Sequence, residues 1–130
     1  MGAAVFSRVK MQRLRLLLVF EASICVLAAL VHVGIFNPAL RYSQAFIIEL
    51  LLAVILMGGL GASLNWPRAT RDIAVFIHGG AVLVSLTGVT LMVMGEGATE
   101  RAADLAFHVL MLLMLIRGFL VSRKPMAEVF

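Results

Sequence analysis

Four long apolar stretches, separated by short polar breaks, dominate the pattern along this chain. They cover about residues 13–35, 43–64, 69–94 and 100–121. An α-helix needs roughly 20 apolar residues to cross ~30 Å of hydrocarbon, and each stretch reaches that length. The breaks are rich in Asn, Pro and Gly, which favour turns. The pattern therefore predicts four transmembrane helices in a single domain over residues 1–130.

The short breaks restrict how the helices are arranged. Inside lipid, backbone polar groups must pair within each helix, and a short loop joins only neighbouring helices. We therefore expect an all-α polytopic membrane protein whose four transmembrane helices form an antiparallel up-down-up-down bundle.

The composition differs from that of a soluble domain. Hydrophobic residues make up 62% of the chain and charged residues 14%, against roughly 25% charged in soluble domains. The net charge of +4 does not indicate a nucleic-acid partner, because the basic residues lie at the ends of the apolar stretches. Cys25 is the only cysteine and lies inside the first stretch, so we interpret it as a packing residue. The partner that this composition predicts is the lipid bilayer.

The distribution of Lys and Arg predicts the orientation. Nine of the eleven basic residues flank one side of the predicted bundle: Arg8, Lys10, Arg13, Arg15, Arg68, Arg71, Arg117, Arg123 and Lys124. Only Arg41 and Arg101 flank the other side. Because short cytoplasmic loops carry the basic excess, we expect both termini in the cytoplasm and a multi-pass protein of a bacterial-type inner (plasma) membrane.

A cleaved signal peptide is the rival interpretation of the first stretch. Its apolar region is longer than the roughly 7–15 residues of a signal, and it carries Glu21. It also ends without a small-residue cleavage site. We therefore expect this helix to be retained.

Ionisable residues within the apolar stretches indicate a polar interior. Each costs roughly 2.5–3.5 kcal/mol on insertion, so such residues usually face a bundle interior and find a partner. Counted at ~1.5 Å per residue, four of them lie within about 5–10 Å of the non-cytoplasmic side. They are His32, Glu49, Asp104 and His108, which we call the outer cluster. We predict that the outer cluster binds a ligand in a cavity open toward that side.

A second polar level lies nearer the cytoplasmic side. Glu21 and His78, the inner pair, are about 10–13 Å from that side by the same count. Glu21, Cys25, Ala28 and His32 stack along one face of the first helix, which links the two levels. We expect the inner pair to satisfy itself and to be a secondary polar site.

Each of these residues also has a structural interpretation. Asp104 is near a helix start, where a carboxylate complements the N-terminus, and a single His in a membrane helix often only bonds a neighbouring helix. The functional interpretation depends on two His and two carboxylates at one depth.

Glycines in the second stretch predict close helix packing. Gly58, Gly59 and Gly61 follow one another closely, and small residues allow membrane helices to approach. We expect a tight crossing there.

The middle of the chain resembles a known family. Between Ala45 and Val82, Ile48-Glu49-Leu50 precedes a glycine-rich half-helix and then Pro67-Arg68-Ala69. His32 and Gly34 are similar to the His-Gly that ends the first helix in many members. On these features the chain resembles the DoxX-like superfamily of small four-helix membrane proteins. The resemblance implies a compact bundle that often serves as an accessory subunit of redox systems such as quinone-linked sulfur oxidation.

Three functions remain open from the sequence, and no motif specifies catalytic residues or a reaction. The first is a redox-associated subunit whose outer cluster binds a quinone headgroup, or less favourably a b-type haem between two His. The second is a protein that handles zinc or copper through His and carboxylate ligands. The third is a non-enzymatic structural or assembly subunit that packs against a membrane protein partner or another copy of itself.

Overall fold

The structure, a computed structural model, describes residues 2–94 and 102–124. It contains four α-helices: α1 Gly2–His32, α2 Ser43–Asn65, α3 Thr70–Met94 and α4 Ala102–Arg123. Short 3₁₀ turns at Pro38–Leu40 and Pro67–Ala69 precede α2 and α3. All regular structure in the described residues is helical, which confirms the all-α prediction with four helices.

The helices have the length and surface of membrane-spanning segments. Each contains a segment long and apolar enough to cross a bilayer: Arg8–His32, Ser43–Asn65, Pro67–Met94 and Ala102–Arg123. Large apolar side chains point outward, such as Phe20, Phe76, Leu83 and Leu110. The buried positions instead include His and Glu. An apolar exterior around a partly polar interior is the arrangement that lipid favours.

Successive helices pack side by side. Close approaches join α1 to α2, α2 to α3 and α3 to α4, whereas α1 and α4 approach less closely. The end of α1 contacts the start of α2 through His32 and Glu49, while Arg15 contacts Ser63 at their other ends. The wider space between α1 and α4 is bridged at the outer level by His32 and Asp104.

The bounds of α1 differ from the predicted range. The other three helices agree with their predicted bounds within two residues. Helix α1 begins at Gly2 rather than near residue 13, because no helix breaker stands between Gly2 and Gln12 and hydropathy marks only the lipid-spanning part. It ends at His32 rather than residue 35, because Gly34 adopts a φ of 87°. Glycine in this left-handed region ends helices at little steric cost.

An apolar layer lies between the two polar levels. Its buried members come from all four helices: Leu18, Ala22, Cys25, Leu52, Ala53, Leu56, Ala81, Met111 and Leu115. Cys25 Sγ lies 3.2 Å from Met111 Sδ across the α1 and α4 interface. Cys25 is fully buried, as expected for a packing residue.

Only one residue of the predicted glycine cluster makes a tight crossing. A Cβ added at Gly59 would lie 2.6 Å from Ile77 Cγ1, so α2 and α3 approach closely there. Gly58 and Gly61 face open space. Because the three glycines point in different directions around α2, they do not form one packing face.

Basic side chains cap helix ends on the side that carries most Lys and Arg, which we call the basic end. Arg15 Nη2 donates to the carbonyl oxygen of Ser63 in the last turn of α2. Lys10 Nζ donates to the carbonyl of Lys124, which follows α4, at 3.0 Å. Cations at these positions satisfy carbonyls that have no partner within the helix and complement the helix dipole.

Candidate functional site

The end of α1 positions His32. The N–H of Ile35 donates to the carbonyl of Leu30 at 3.3 Å, and the N–H of Gly34 donates to that of Val31 at 3.0 Å. These two bonds form a Schellman cap. The carbonyl of His32 itself accepts from the N–H of Tyr42 at 2.9 Å. The cap and the start of α2 are thereby fixed against each other, and His32 is held between them.

The remaining members of the outer cluster come from the first two turns of α2 and α4. Glu49 lies on the buried face of α2. Asp104 and His108 are four residues apart on α4, so their side chains project from one face. His108 Nδ1–H donates to the backbone carbonyl of Asp104 at 2.8 Å, which orients its Nε2 toward Glu49.

The four side chains form a line of short contacts. Asp104 Oδ1 lies 2.9 Å from His32 Nε2. His32 Nδ1 lies 2.9 Å from Glu49 Oε1 and 2.8 Å from Oε2. Glu49 Oε1 in turn lies 3.3 Å from His108 Nε2. The structure therefore brings together all four residues that the sequence placed at one depth.

The last contact of this line is weaker than the others. His108 Nε2 and Glu49 Oε1 are within ion-pair distance. Their orientation does not meet hydrogen-bond geometry, and Nε2 has no other partner among the described residues. At 3.3 Å we treat the pair as an electrostatic contact that a small rotation of either side chain would turn into a hydrogen bond.

Exposure falls along the line from one end to the other. The side chain of Asp104 is 32% exposed, whereas those of His32, Glu49 and His108 are buried. The outer cluster is therefore most accessible at Asp104.

His32 has an unusual proton requirement. A neutral imidazole carries one N–H, and an ionised carboxylate only accepts hydrogen bonds. Because both ring nitrogens of His32 face carboxylates, the two contacts need an additional proton on the ring or on one carboxyl group. The outer cluster is thus built to hold a proton that three groups can share.

A small space borders the outer cluster beside His108. The space beside His108 is lined chiefly by Ile48, Gly88, Leu91 and Met92 and has a volume of about 10 Å³. That is room for about one water molecule. This space is too small for a quinone headgroup, and the polar side chains beside it contact one another.

The outer cluster also does not match a haem or metal site. Glu49 contacts both His32 and His108, so it occupies the gap that a macrocycle would need between the two rings. No group of three or more His, Cys, Asp or Glu within the described residues is arranged to hold a metal ion. Both nitrogens of His32 are already engaged by carboxylates.

The inner pair is fully buried, and its two side chains contact each other. His78 Nε2 lies 2.9 Å from Glu21 Oε2, and His78 Nδ1–H donates to the carbonyl of Ala74 at 2.7 Å. Since Nδ1 donates to a carbonyl, the contact at Nε2 requires one proton shared with Glu21. Glu21 Oε1 is buried with no hydrogen-bond partner in the part of the chain described.

Gly118 is a residue of this level that sequence reasoning missed. A Cβ at this position would lie 2.5 Å from His78 Nε2 and 2.9 Å from Glu21 Oε1. Gly118 is the only glycine in α4, a helix otherwise rich in bulky residues, and that isolation was the available signal. The absent side chain leaves the space that the inner pair occupies.

Comparisons with protein-family models, with curated proteins and with solved structures gave no match to this chain.

Proposed function

We propose that this chain is a proton-relay subunit of a bacterial-type inner membrane, with both termini in the cytoplasm. In this proposal the outer cluster carries protons between the non-cytoplasmic surface and the interior near His108. The basic end, with nine of eleven Lys and Arg residues, supports the orientation. The resemblance to DoxX-like proteins supports the association with a quinone-linked redox system.

The observation that carries the proposal is the placement of His32 between two carboxylates. Its ring can accept a proton at Nε2, beside Asp104, and release another at Nδ1, beside Glu49, without rotating. Imidazole changes its charge in the range useful for such transfer. Proton transfer through positioned groups needs heavy-atom distances of about 2.6–3.2 Å, which both His32 contacts satisfy.

The relay has a defined beginning and end. Asp104 exchanges protons with water because its side chain is partly exposed. Glu49 passes the proton to His108 across the 3.3 Å contact once that pair aligns. His108 borders the small space between α2 and α3, which is where the relay ends.

A quinone would have to lie outside the bundle, in the lipid or in a partner protein. The space beside His108 is too small for its headgroup, so none of the steps above involves it. The chain's own residues supply the proton path, and a membrane protein partner supplies the redox group.

The test measures the exchange of the His108 ring proton with solvent. The measurement uses NMR of ¹⁵N-histidine-labelled protein in nanodiscs. Asp104→Asn keeps an oxygen that can accept from His32 but removes the carboxyl that carries the proton. We expect exchange of the His108 ring proton with solvent to slow by roughly 100-fold in this variant, as expected when a general acid-base group is lost. Glu21→Gln is the control and should leave the His108 rate unchanged. Equal His108 rates in Asp104→Asn and the unaltered protein would contradict the relay.

A structural or assembly role is the second candidate, and one observation favours it. His32, Glu49 and Asp104 satisfy one another, and the space beside His108 holds about one water, as groups that only fix helix register would do. Under this alternative, Asp104→Asn would lower stability without slowing exchange at His108. The same NMR experiment, combined with a melting curve, therefore separates the two functions.

A further inference from the structure

A groove at the basic end, apart from both polar levels, has the features of a lipid-binding site. It lies between α3 and α4, has a volume of about 370 Å³ and is lined by Arg71, Asp72, Val75, Phe76 and Arg123. We call it the α3–α4 groove. Ligand pockets typically measure roughly 300–1,000 Å³, so the groove has room for a small headgroup.

The charged wall of the groove favours an anion. Arg71 and Arg123 contribute two positive charges against the single carboxylate of Asp72. Arg71 Nη2 donates to the carbonyl of Arg123 at 3.2 Å, which fixes its guanidinium at the end of α4. Its Nε is buried and has no hydrogen-bond partner among the described residues, so it does not face the groove. A guanidinium has five N–H donors in a rigid fork that matches phosphate oxygens, and the terminal nitrogens of Arg71 supply the donors for an anion.

The second arginine is held close by. The guanidinium carbon of Arg123 lies 5.5 Å from the centre of the Phe119 ring. A cation over an aromatic face at this distance is attracted to it, which limits how far the side chain moves. Two guanidinium groups are thus anchored on one groove.

The apolar wall indicates that the anion is the headgroup of a lipid. Phe76 is 80% exposed and lies five positions after Arg71 on a membrane-spanning helix, so its ring is deeper in the hydrocarbon. An acyl chain can lie along Val75 and Phe76 while its phosphate reaches the two arginines. Basic pockets between transmembrane helices bind anionic lipid headgroups in this manner.

We propose that the α3–α4 groove binds an anionic phospholipid, with its phosphate between Arg71 and Arg123 and an acyl chain along Phe76. This site is independent of the proton relay, and its test does not depend on the outer cluster.

The experiment measures lipid binding to the detergent-solubilised full chain by native mass spectrometry, with phosphatidylglycerol as the probe and phosphatidylcholine for comparison. Arg71→Gln/Arg123→Gln removes both groove charges, and Arg13→Gln/Arg117→Gln removes two exposed charges elsewhere. We assign a gain in affinity of about fivefold to each cation that contacts the bound phosphate. We therefore expect the groove variant to bind phosphatidylglycerol about 30-fold more weakly and the control variant to bind within a few-fold of the unaltered protein.

Two further variants distinguish a lipid phosphate from inorganic phosphate and show whether a loss of binding is caused by misfolding. Phe76→Ser should weaken phosphatidylglycerol binding while leaving any binding of inorganic phosphate unchanged. Arg123→Gln alone preserves the Arg71 bond to the backbone and should still reduce phosphatidylglycerol affinity about fivefold. Equal losses in the groove and control variants, equal affinity for phosphatidylcholine, or inorganic phosphate that binds as tightly as the lipid would each overturn the assignment.

Discussion

The substitution Gly118→Ala gives the most direct test of the packing at the inner pair. The added Cβ would lie 2.5 Å from His78 Nε2 and 2.9 Å from Glu21 Oε1, distances that real Cβ atoms essentially never show. Either α4 moves away from α1 and α3, or the inner pair separates. Overpacking a core costs roughly 1–3 kcal/mol, and breaking a buried pair costs roughly 3–5 kcal/mol. The higher helix propensity of alanine offsets about 1 kcal/mol of this loss of stability.

We therefore expect Gly118→Ala to lower the free energy of unfolding by about 2 kcal/mol, taking about 3 kcal/mol for the clash and subtracting the propensity gain. Gly80→Ala is the matched control, because a Cβ there meets nothing within 4 Å. That variant should be neutral or stabilised by up to about 1 kcal/mol.

Unfolding of the bundle can be followed through the reactivity of the Cys25 thiol. It is the only cysteine and is fully buried, so a fluorogenic maleimide reacts with it only as the bundle opens. A loss of about 2 kcal/mol corresponds to a fall in Tm of roughly 6–10 °C for a chain of this size. Equal melting temperatures for Gly118→Ala and Gly80→Ala would refute the close packing of α4 against the inner pair.

Three further outcomes follow from other contacts. Gly34→Ala should lower Tm through a loss of roughly 1–2 kcal/mol, because φ at this position is 87° and a side chain is strained there; an unchanged Tm would contradict the left-handed cap. Arg15→Gln removes a bond to the Ser63 carbonyl and should lower stability by roughly 1.5–3 kcal/mol, whereas the exposed control Arg13→Gln should have little effect. Cys25 in the native protein should resist alkylation, and rapid labelling in mild detergent would show that the apolar layer is open.

The number of helices could be predicted from the sequence, because a helix needs roughly 20 apolar residues to cross the hydrocarbon. The error in the predicted bounds of α1 has a physical cause. Hydropathy reports where a helix meets hydrocarbon, while the backbone stays helical as far as Gly2 in one direction and is stopped in the other by Gly34. A glycine two residues after His32 was visible in the sequence, but its positive φ was not.

The sequence predicted the level along the bundle at which the polar side chains of the outer cluster lie, but it did not predict their contacts. A fixed rise per residue places His32, Glu49 and His108 at one level without knowledge of the packing. Whether such groups leave a cavity depends on rotamers and on the spacing between helices, which no periodicity encodes. The structure shows them in contact with one another, with space for about one water beside His108. Gly118 was missed for the same reason, since its role depends on neighbours from other helices.

The apolar layer between the two polar levels determines what kind of proton chemistry the bundle can support by itself. Glu21 and His32 share a face of α1, yet Cys25 stands between them and packs against Met111 in a buried apolar layer. Ser85 on α3 lies between these levels with a buried hydroxyl that has no hydrogen-bond partner among the described residues, so no continuous chain of hydrogen bonds joins the outer cluster to the inner pair through it. In the proposed relay, protons that enter the outer cluster through Asp104 therefore leave it on the same side or at His108. The geometry thus favours local proton delivery to a neighbouring molecule over conduction across the membrane.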